Sequence, residues 1–357
     1  MWTDASPDRG RELLQQMEHF RSIIYGVAFP DLPPGGVTLV IALRDHRESA
    51  AFTPLYHPAY AMHGGPLLQP TMVLPADAYG DETLVAHELT HAISYNAVHE
   101  QPRWFAEGIA MYFQSIDLDA KHATVDVGKP PPDVGELRSH PLEPITAMFA
   151  CKEMSCTDDH IFYSTAWTMY AWLRNEHPKE LAHLEELFED EPADRAWREV
   201  FPDHAIETFA LELRAWLTSG GLKIWTFKIA LKTWPVTQRT LSDADVHAAR
   251  ALLDLEQHRD RVDAEVAAAL ALEPNQVVAR TIDYTLHHDR TTVPIARAVV
   301  AAHPDQWLAW RMLAETLHSG AEAHDAHVKM CDLVLQNPAL SAYRRCAKER
   351  SASQPGP

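Results

Sequence analysis

Five consecutive residues, His87-Glu88-Leu89-Thr90-His91, and a glutamate sixteen positions beyond the second histidine, Glu107, have the types and spacing that build a hydrolytic zinc centre. On a helix, residues four apart share a face, so His87 and His91 can offer both imidazoles to one ion about 2.0–2.1 Å from each nitrogen. Glu88 stands about 100° round the helix from His87, close enough to reach water on that ion but poorly placed to ligate. With Glu107 as third donor, a fourth position stays open for water, as in catalytic rather than structural zinc sites. In such a centre zinc polarises a carbonyl and acidifies water while Glu88 acts as general base.

The flanking sequence is suited to hold these groups. Asp81 is a credible N-cap, and Leu84, Val85, Leu89, Ala92 and Ile93 form an apolar face beside the histidines. Neither Pro nor Gly interrupts residues 82–95. A turn from Asn96 to Pro102 leads to a second helical stretch, 103–114, which carries Glu107. Two antiparallel helices with a short loop return Glu107 towards the histidines.

HELTH followed by Trp104-Phe105-Ala106-Glu107-Gly108-Ile109-Ala110-Met111-Tyr112 resembles the gluzincins, and within them the bacterial peptidase-MA-like proteins. The resemblance covers residues 1 to about 218. It implies one Zn2+ ion held by His87, His91 and Glu107, with Glu88 as general base, in a metallopeptidase. Fifteen residues separate His91 from Glu107, fewer than in thermolysin-like enzymes, and Met111 stands where those enzymes place an Asp that steadies a ligand histidine. The partner that orients the histidines is therefore not assigned from the sequence. By the same resemblance Tyr163, in His160-Ile161-Phe162-Tyr163, begins the helix after a long loop and is expected to donate to the oxyanion, with His160 as the alternative donor. A core tyrosine among Phe162, Trp167 and Tyr170 is the competing reading of Tyr163.

Around this centre an α+β catalytic domain is expected. A helix starts at Ser6-Pro7, with Leu13, Leu14, Met17, Phe20 and Ile24 on one stripe, and Val37–Leu43 reads as a buried strand. Met72-Val73-Leu74 is expected as the edge strand of a small sheet, where gluzincins hold an extended peptide by main-chain pairing. Residues 125–147 read as a long irregular connection, and helices are expected at about 163–175, 178–190 and 204–218.

The organisation expected is 1–218 catalytic, 219–242 linker, 243–350 helical and 351–357 disordered tail. Leu272-Glu273-Pro274-Asn275, His303-Pro304-Asp305 and Gln336-Asn337-Pro338 recur at spacings of 30 and 34, a stacked-helix signal that resembles tetratricopeptide repeats. Such helices serve as a cap on the rest of the chain or as a surface for a protein partner.

The 357 residues, 46% hydrophobic and 9% aromatic, suffice for two cores, and 31 basic against 50 acidic residues give a net charge of −19. That charge disfavours nucleic acid as a partner. No apolar run approaches the roughly 18 residues of a transmembrane helix, and the start is not that of a signal peptide. Peptidase-MA-like proteins resemble this chain in a strand of which Trp2-Thr3-Asp4 would be the end. A chain that starts inside that strand is expected to be periplasmic or secreted, one that starts naturally at Met1 cytoplasmic. Cys151 with Cys156, and Cys331 with Cys346, are close enough in sequence for two disulfides, although buried thiols explain the second pair equally well.

The expected function is zinc-dependent hydrolysis of peptide bonds in a peptide or protein substrate. A zinc hydrolase of a non-peptide amide or ester, and a helical-repeat interaction protein with a vestigial metal site, are the alternatives.

Overall fold

The structure, a computed structural model, describes residues 1–30, 37–52, 59–62, 67, 69–78, 81–98, 100–132, 134, 137, 141–152, 159–337, 340 and 342–353. In chain order its elements are β1 (Trp2–Thr3), α1 (Pro7–Ala28), β2 (Leu39–Leu43), α2 (His46–Ser49), β3 (Tyr60–Met62), β4 (Thr71–Pro75), α3 (Glu82–Ala97) and α4 (Arg103–Phe113). There follow β5 (Asp117–Asp119), β6 (Thr124–Val127), α5 (Ile145–Ala150), α6 (Asp159–Glu176), α7 (Pro178–Leu187), α8 (Ala193–Val200), α9 (Phe209–Thr218) and β7 (Trp225–Lys228). The last helices are α10 (Asp243–Gln257), α11 (Arg259–Leu272), α12 (Val277–Leu286), α13 (Val293–Ala302), α14 (Trp307–Leu317), α15 (Ala321–Val334) and α16 (Tyr343–Ser353). The fold is α+β, and among the described residues no helix is long and apolar enough to cross a membrane.

Two compact units emerge, each built from separated stretches: 1–10, 33–76 and 236–357 form the first, 11–32 and 77–235 the second. The units cut across the expected division at residue 218, because the N-terminal sheet shares its core with the C-terminal helices. In the first unit the strand order is β1-β2-β4-β3, with β1, β2 and β4 parallel and β3 antiparallel. Met72, Val73 and Leu74 therefore lie in an interior strand, not at the edge. All three are fully buried, and a run apolar on both faces belongs inside a sheet. Tyr60–Met62 forms the edge instead.

One face of this sheet is made by Leu39, Ile41 and Val73, with Ile41 and Val73 in register. These side chains join Leu252, Val266, Ile282, Trp307 and Val334 in one apolar cluster. Among the helices α10 to α15, α10 packs on α11 and α14 on α15, while α12 lies against α10, α11 and α14, and α13 against α14. The same hydrogen bond follows α11, α13 and α15: N–H of Gln276, Gln306 and Leu340 donates to the carbonyl of Glu273, His303 and Asn337, at 3.0, 3.1 and 3.1 Å. Four residues into the next helix, Arg280 and Trp310 each donate a side-chain N–H to the Pro274 and Pro304 carbonyls, at 2.8 and 2.9 Å. The recurrence at spacings of 30 and 34 is thus a repeat of hydrogen bonds as well as of letters. Cys331 and Cys346 form a disulfide that ties α15 to α16, and α16 extends to Ser353, into the segment expected as a tail. Residues 354–357 lie outside the described residues.

In the second unit Asp81 caps α3, its carboxylate accepting from Leu84 N–H at 3.1 Å. Residues 104–113 of α4 are all buried, so this helix is apolar all round and sits inside its unit. In its first turn Trp104 packs edge-on against Phe188 and Trp197, and Phe105 against Phe188. The stretch expected as a linker carries β7, which pairs antiparallel with β6 and closes a sheet ordered β5-β6-β7. The connection expected at 125–147 accordingly begins as a strand, whose Val125 and Val127 are fully buried while Asp126 points out to Thr226, 2.7 Å away.

Candidate metal centre

One turn of α3 separates His87 from His91, and their Nε2 atoms converge to 3.1 Å. Glu107, on α4, brings Oε2 to 3.3 Å from the His91 Nε2 and 3.6 Å from that of His87. Three donors bound tetrahedrally at about 2.0–2.1 Å from one zinc ion would stand about 3.3–3.4 Å apart, so this triangle has the size such an ion requires. The three atoms come from buried or half-buried side chains of the second unit. Glu107 Oε2 and His91 Nδ1 are buried and lack hydrogen-bond partners. At 3.3 and 3.6 Å the contacts of Oε2 are ion-pair distances rather than full hydrogen bonds.

A carboxylate on an apolar, buried helix needs positive charge beside it. Burial pushes Glu107 towards its neutral form, but the His91 charge and the polar contacts of both imidazoles outweigh it and hold the carboxyl far below its usual range. Burial likewise presses His87 downward, and Glu107, Glu88 and Gln114 overcome it, so that His87 is shifted up. The cluster thus demands a positive charge between the carboxylate and the imidazoles. A divalent cation of nitrogen and oxygen preference fits that demand.

The orienting partner missing from the sequence reading is Gln114, whose Oε1 lies 3.1 Å from His87 Nδ1. A donor Nδ1–H there fixes the tautomer that turns the Nε2 lone pair inward. Gln114 is seven residues beyond Glu107, two turns on, and that spacing is the signal that could have found it. Tyr95 was missed too. Four residues after His91, it stacks with that imidazole at 6.1 Å between centroids. Burial, then the negative charges of Glu107 and Glu88, push its hydroxyl up to about 12, so it remains protonated as a donor.

Glu88 is buried on α3 and its charge bears on both His87 and Tyr95, which places it beside the triangle without joining it. Tyr163 is half-buried on α6, its ring against Phe162 and 5.8 Å from the Arg103 guanidinium. Arg103 is also among the charges that act on Tyr95, opposing the carboxylates. His160 is exposed in the first turn of α6. Cys151 is buried and disulfide-bonded, while its expected partner Cys156 lies outside the described residues.

Gly108, directly after the third donor, lets α4 approach α6. A Cβ there would stand 2.5 Å from the Ala166 carbonyl oxygen and 3.0 Å from Tyr170 Cβ. The position of Glu107 is therefore set by backbone contact between two helices, beyond its own helix geometry.

A family model described as a protein of unknown function (DUF1570) matches residues 82–194, from the first residue of α3 into α8. The matched stretch contains His87, Glu88, His91, Glu107, Gln114 and Tyr163. No curated protein and no solved structure matches the chain.

Proposed function

We propose that the chain is a zinc-dependent metallopeptidase in which His87, His91 and Glu107 hold one Zn2+ ion and Glu88 is the general base. The observation that carries this reading is the donor triangle of 3.1, 3.3 and 3.6 Å with a buried carboxylate beside it. The likeness of HELTH and of the Glu107-Gly108 segment to gluzincins supports it further. Bound zinc supplies a Lewis acid that polarises a scissile carbonyl and makes water a nucleophile near neutral pH. Glu88 takes the proton of the attacking water and passes it to the leaving nitrogen. Tyr163 donates to the oxygen on which negative charge develops, and Gln114 keeps the His87 ring turned inward. The substrate is a peptide or protein segment. In the first unit, the repeat helices act foremost as cover for the sheet, the face of which they bury.

Metal content and digestion of a broad peptide library, with and without chelator, test the proposal. Zinc should bind at one equivalent in the oxidised protein and be lost in His91→Ala. Glu88→Gln should retain zinc and the fold while cleavage falls by several orders of magnitude, because an amide cannot accept the proton. Near wild-type cleavage by Glu88→Gln rejects the mechanism. A zinc-loaded protein that cleaves no peptide but hydrolyses simple esters or amides rejects the peptide substrate and retains the hydrolase.

A further inference from the structure

A second group of metal-binding side chains lies in the first unit, on the last two helices. His327 and Cys331 are four residues apart on α15, and Cys346 and Glu349 are three apart on α16, so each pair shares a helix face. His327 Nε2 is 2.6 Å from Glu349 Oε2 and 3.7 Å from Cys331 Sγ, and that sulfur is 4.0 Å from the same carboxylate oxygen. Cys331 and Cys346 are joined as a disulfide, so the fourth side chain adjoins the other three.

We propose that these four residues form a redox-gated metal site that takes a thiophilic divalent cation of the zinc class when the disulfide is reduced. Two thiolates, one imidazole and one carboxylate make a four-donor set of the structural zinc type. Donors at about 2.3 Å for sulfur and 2.0–2.1 Å for nitrogen, bound tetrahedrally, would stand about 3.6 Å apart, close to the spacing of His327 and Cys331. In the disulfide neither sulfur is a thiolate, and a neutral disulfide sulfur is a poor donor for such a cation. Oxidised, the group is a covalent tie between α15 and α16. Reduced and loaded, the ion becomes the tie.

The chemistry balances with a thiol or phosphine reductant. A dithiol gives two electrons and two protons to the S–S bond, which breaks to two thiols as the reductant closes its own disulfide. The cation then displaces both thiol protons to solvent as two metal–sulfur bonds form. A small-molecule disulfide reverses the sequence: one thiolate opens it to a mixed disulfide and releases one small thiol, the second thiolate displaces the other small thiol as the Cys331–Cys346 bond reforms, and the cation leaves.

The test uses the full chain carrying His91→Ala, which silences the first centre. That centre has no sulfur donor, so a sulfur-specific signal separates the two proposals whichever of them fails. Co2+ alone is titrated before and after treatment with a trialkylphosphine, which becomes the phosphine oxide with an oxygen from water. One equivalent of Co2+ should bind after reduction only, with a thiolate-to-cobalt charge-transfer band, and added small-molecule disulfide should abolish the band. His327→Ala and Glu349→Gln leave the disulfide intact and should each weaken the binding by about 100-fold, the share of one ligand in four. If reduction alone loosens α15 and α16, Co2+ or Zn2+ should restore the lost helical circular dichroism. Absence of the band after reduction, failure of the metal to restore helix, or unchanged affinity in both variants overturns the site.

Discussion

Gln114 reaches back from the end of α4 to His87, with 3.1 Å between Oε1 and Nδ1, so the helix that supplies Glu107 also aims a histidine of the other helix. Replacing Gln114 with Ala removes the aiming group without touching a ligand. Zinc affinity should fall by about 10- to 100-fold while the thermal unfolding of the metal-free protein changes little. Wild-type affinity in a zinc competition titration would show that the contact does not orient the ring.

Gly108→Ala puts a methyl group into the backbone of α6. Displacing the two helices costs about 2–3 kcal/mol, which outweighs the gain of about 1 kcal/mol from alanine's better helix propensity. A lower urea midpoint and weaker zinc binding are expected together, because Glu107 moves with α4. A variant of unchanged midpoint would mean that the helices can part without loss.

Tyr163→Phe should keep zinc and substrate affinity and lower kcat by about 10²–10³, as loss of an oxyanion donor does. Tyr95→Phe is the control, since Tyr95 also stands within the field of Glu88 and Glu107. Wild-type kcat in the first variant and collapse in the second would transfer the role to Tyr95.

Stability should fall as pH rises through neutrality, because of Glu185 on α7. Burial pushes its carboxyl up to about 8, against Arg174 and with help from Glu186. The folded state therefore keeps a proton that the unfolded chain gives up above about pH 4.3. The contribution is full below that value, declines as pH climbs towards 8 and is then gone. Glu185→Gln should melt with wild type at pH 4 and above it at pH 8. Parallel melting curves over that range would exclude Glu185 as the source.

A fragment ending at Ser219 retains every residue of the proposed centre. It loses β7 from the second sheet, and it loses the helices that bury Leu39, Ile41 and Val73. Exposed apolar sheet should drive it to aggregate. A monomeric, zinc-loaded fragment on size exclusion would contradict this and give the helices back to a partner-binding role.

The parts of this fold that were legible are those written in local spacing. Asp81, the apolar residues of α3 and the absence of Pro and Gly set α3 to within a residue or two, and two helices close in sequence bring Glu107 to His87 and His91. What escaped depends on partners far along the chain. Thr226 answers Asp126 across a hundred residues, and nothing within either segment names the other. Met72-Val73-Leu74 was legible as a strand, but its interior place required β3, a three-residue strand too short to stand out. Gln114 was overlooked because a glutamine at the end of a helix is ordinarily a solvated one.

The interleaving of the two units gives the chain an order of events during its synthesis. All of the second unit, with the proposed centre, has been made once Pro235 leaves the ribosome. The strands β1 to β4 are made earlier, yet their cover comes from Val236–Pro357, the last part to emerge. At about 5–20 residues per second that wait lasts on the order of ten seconds to a minute, during which the first-made apolar strands lack their cover, and the unit that holds the proposed centre is complete before the wait is over.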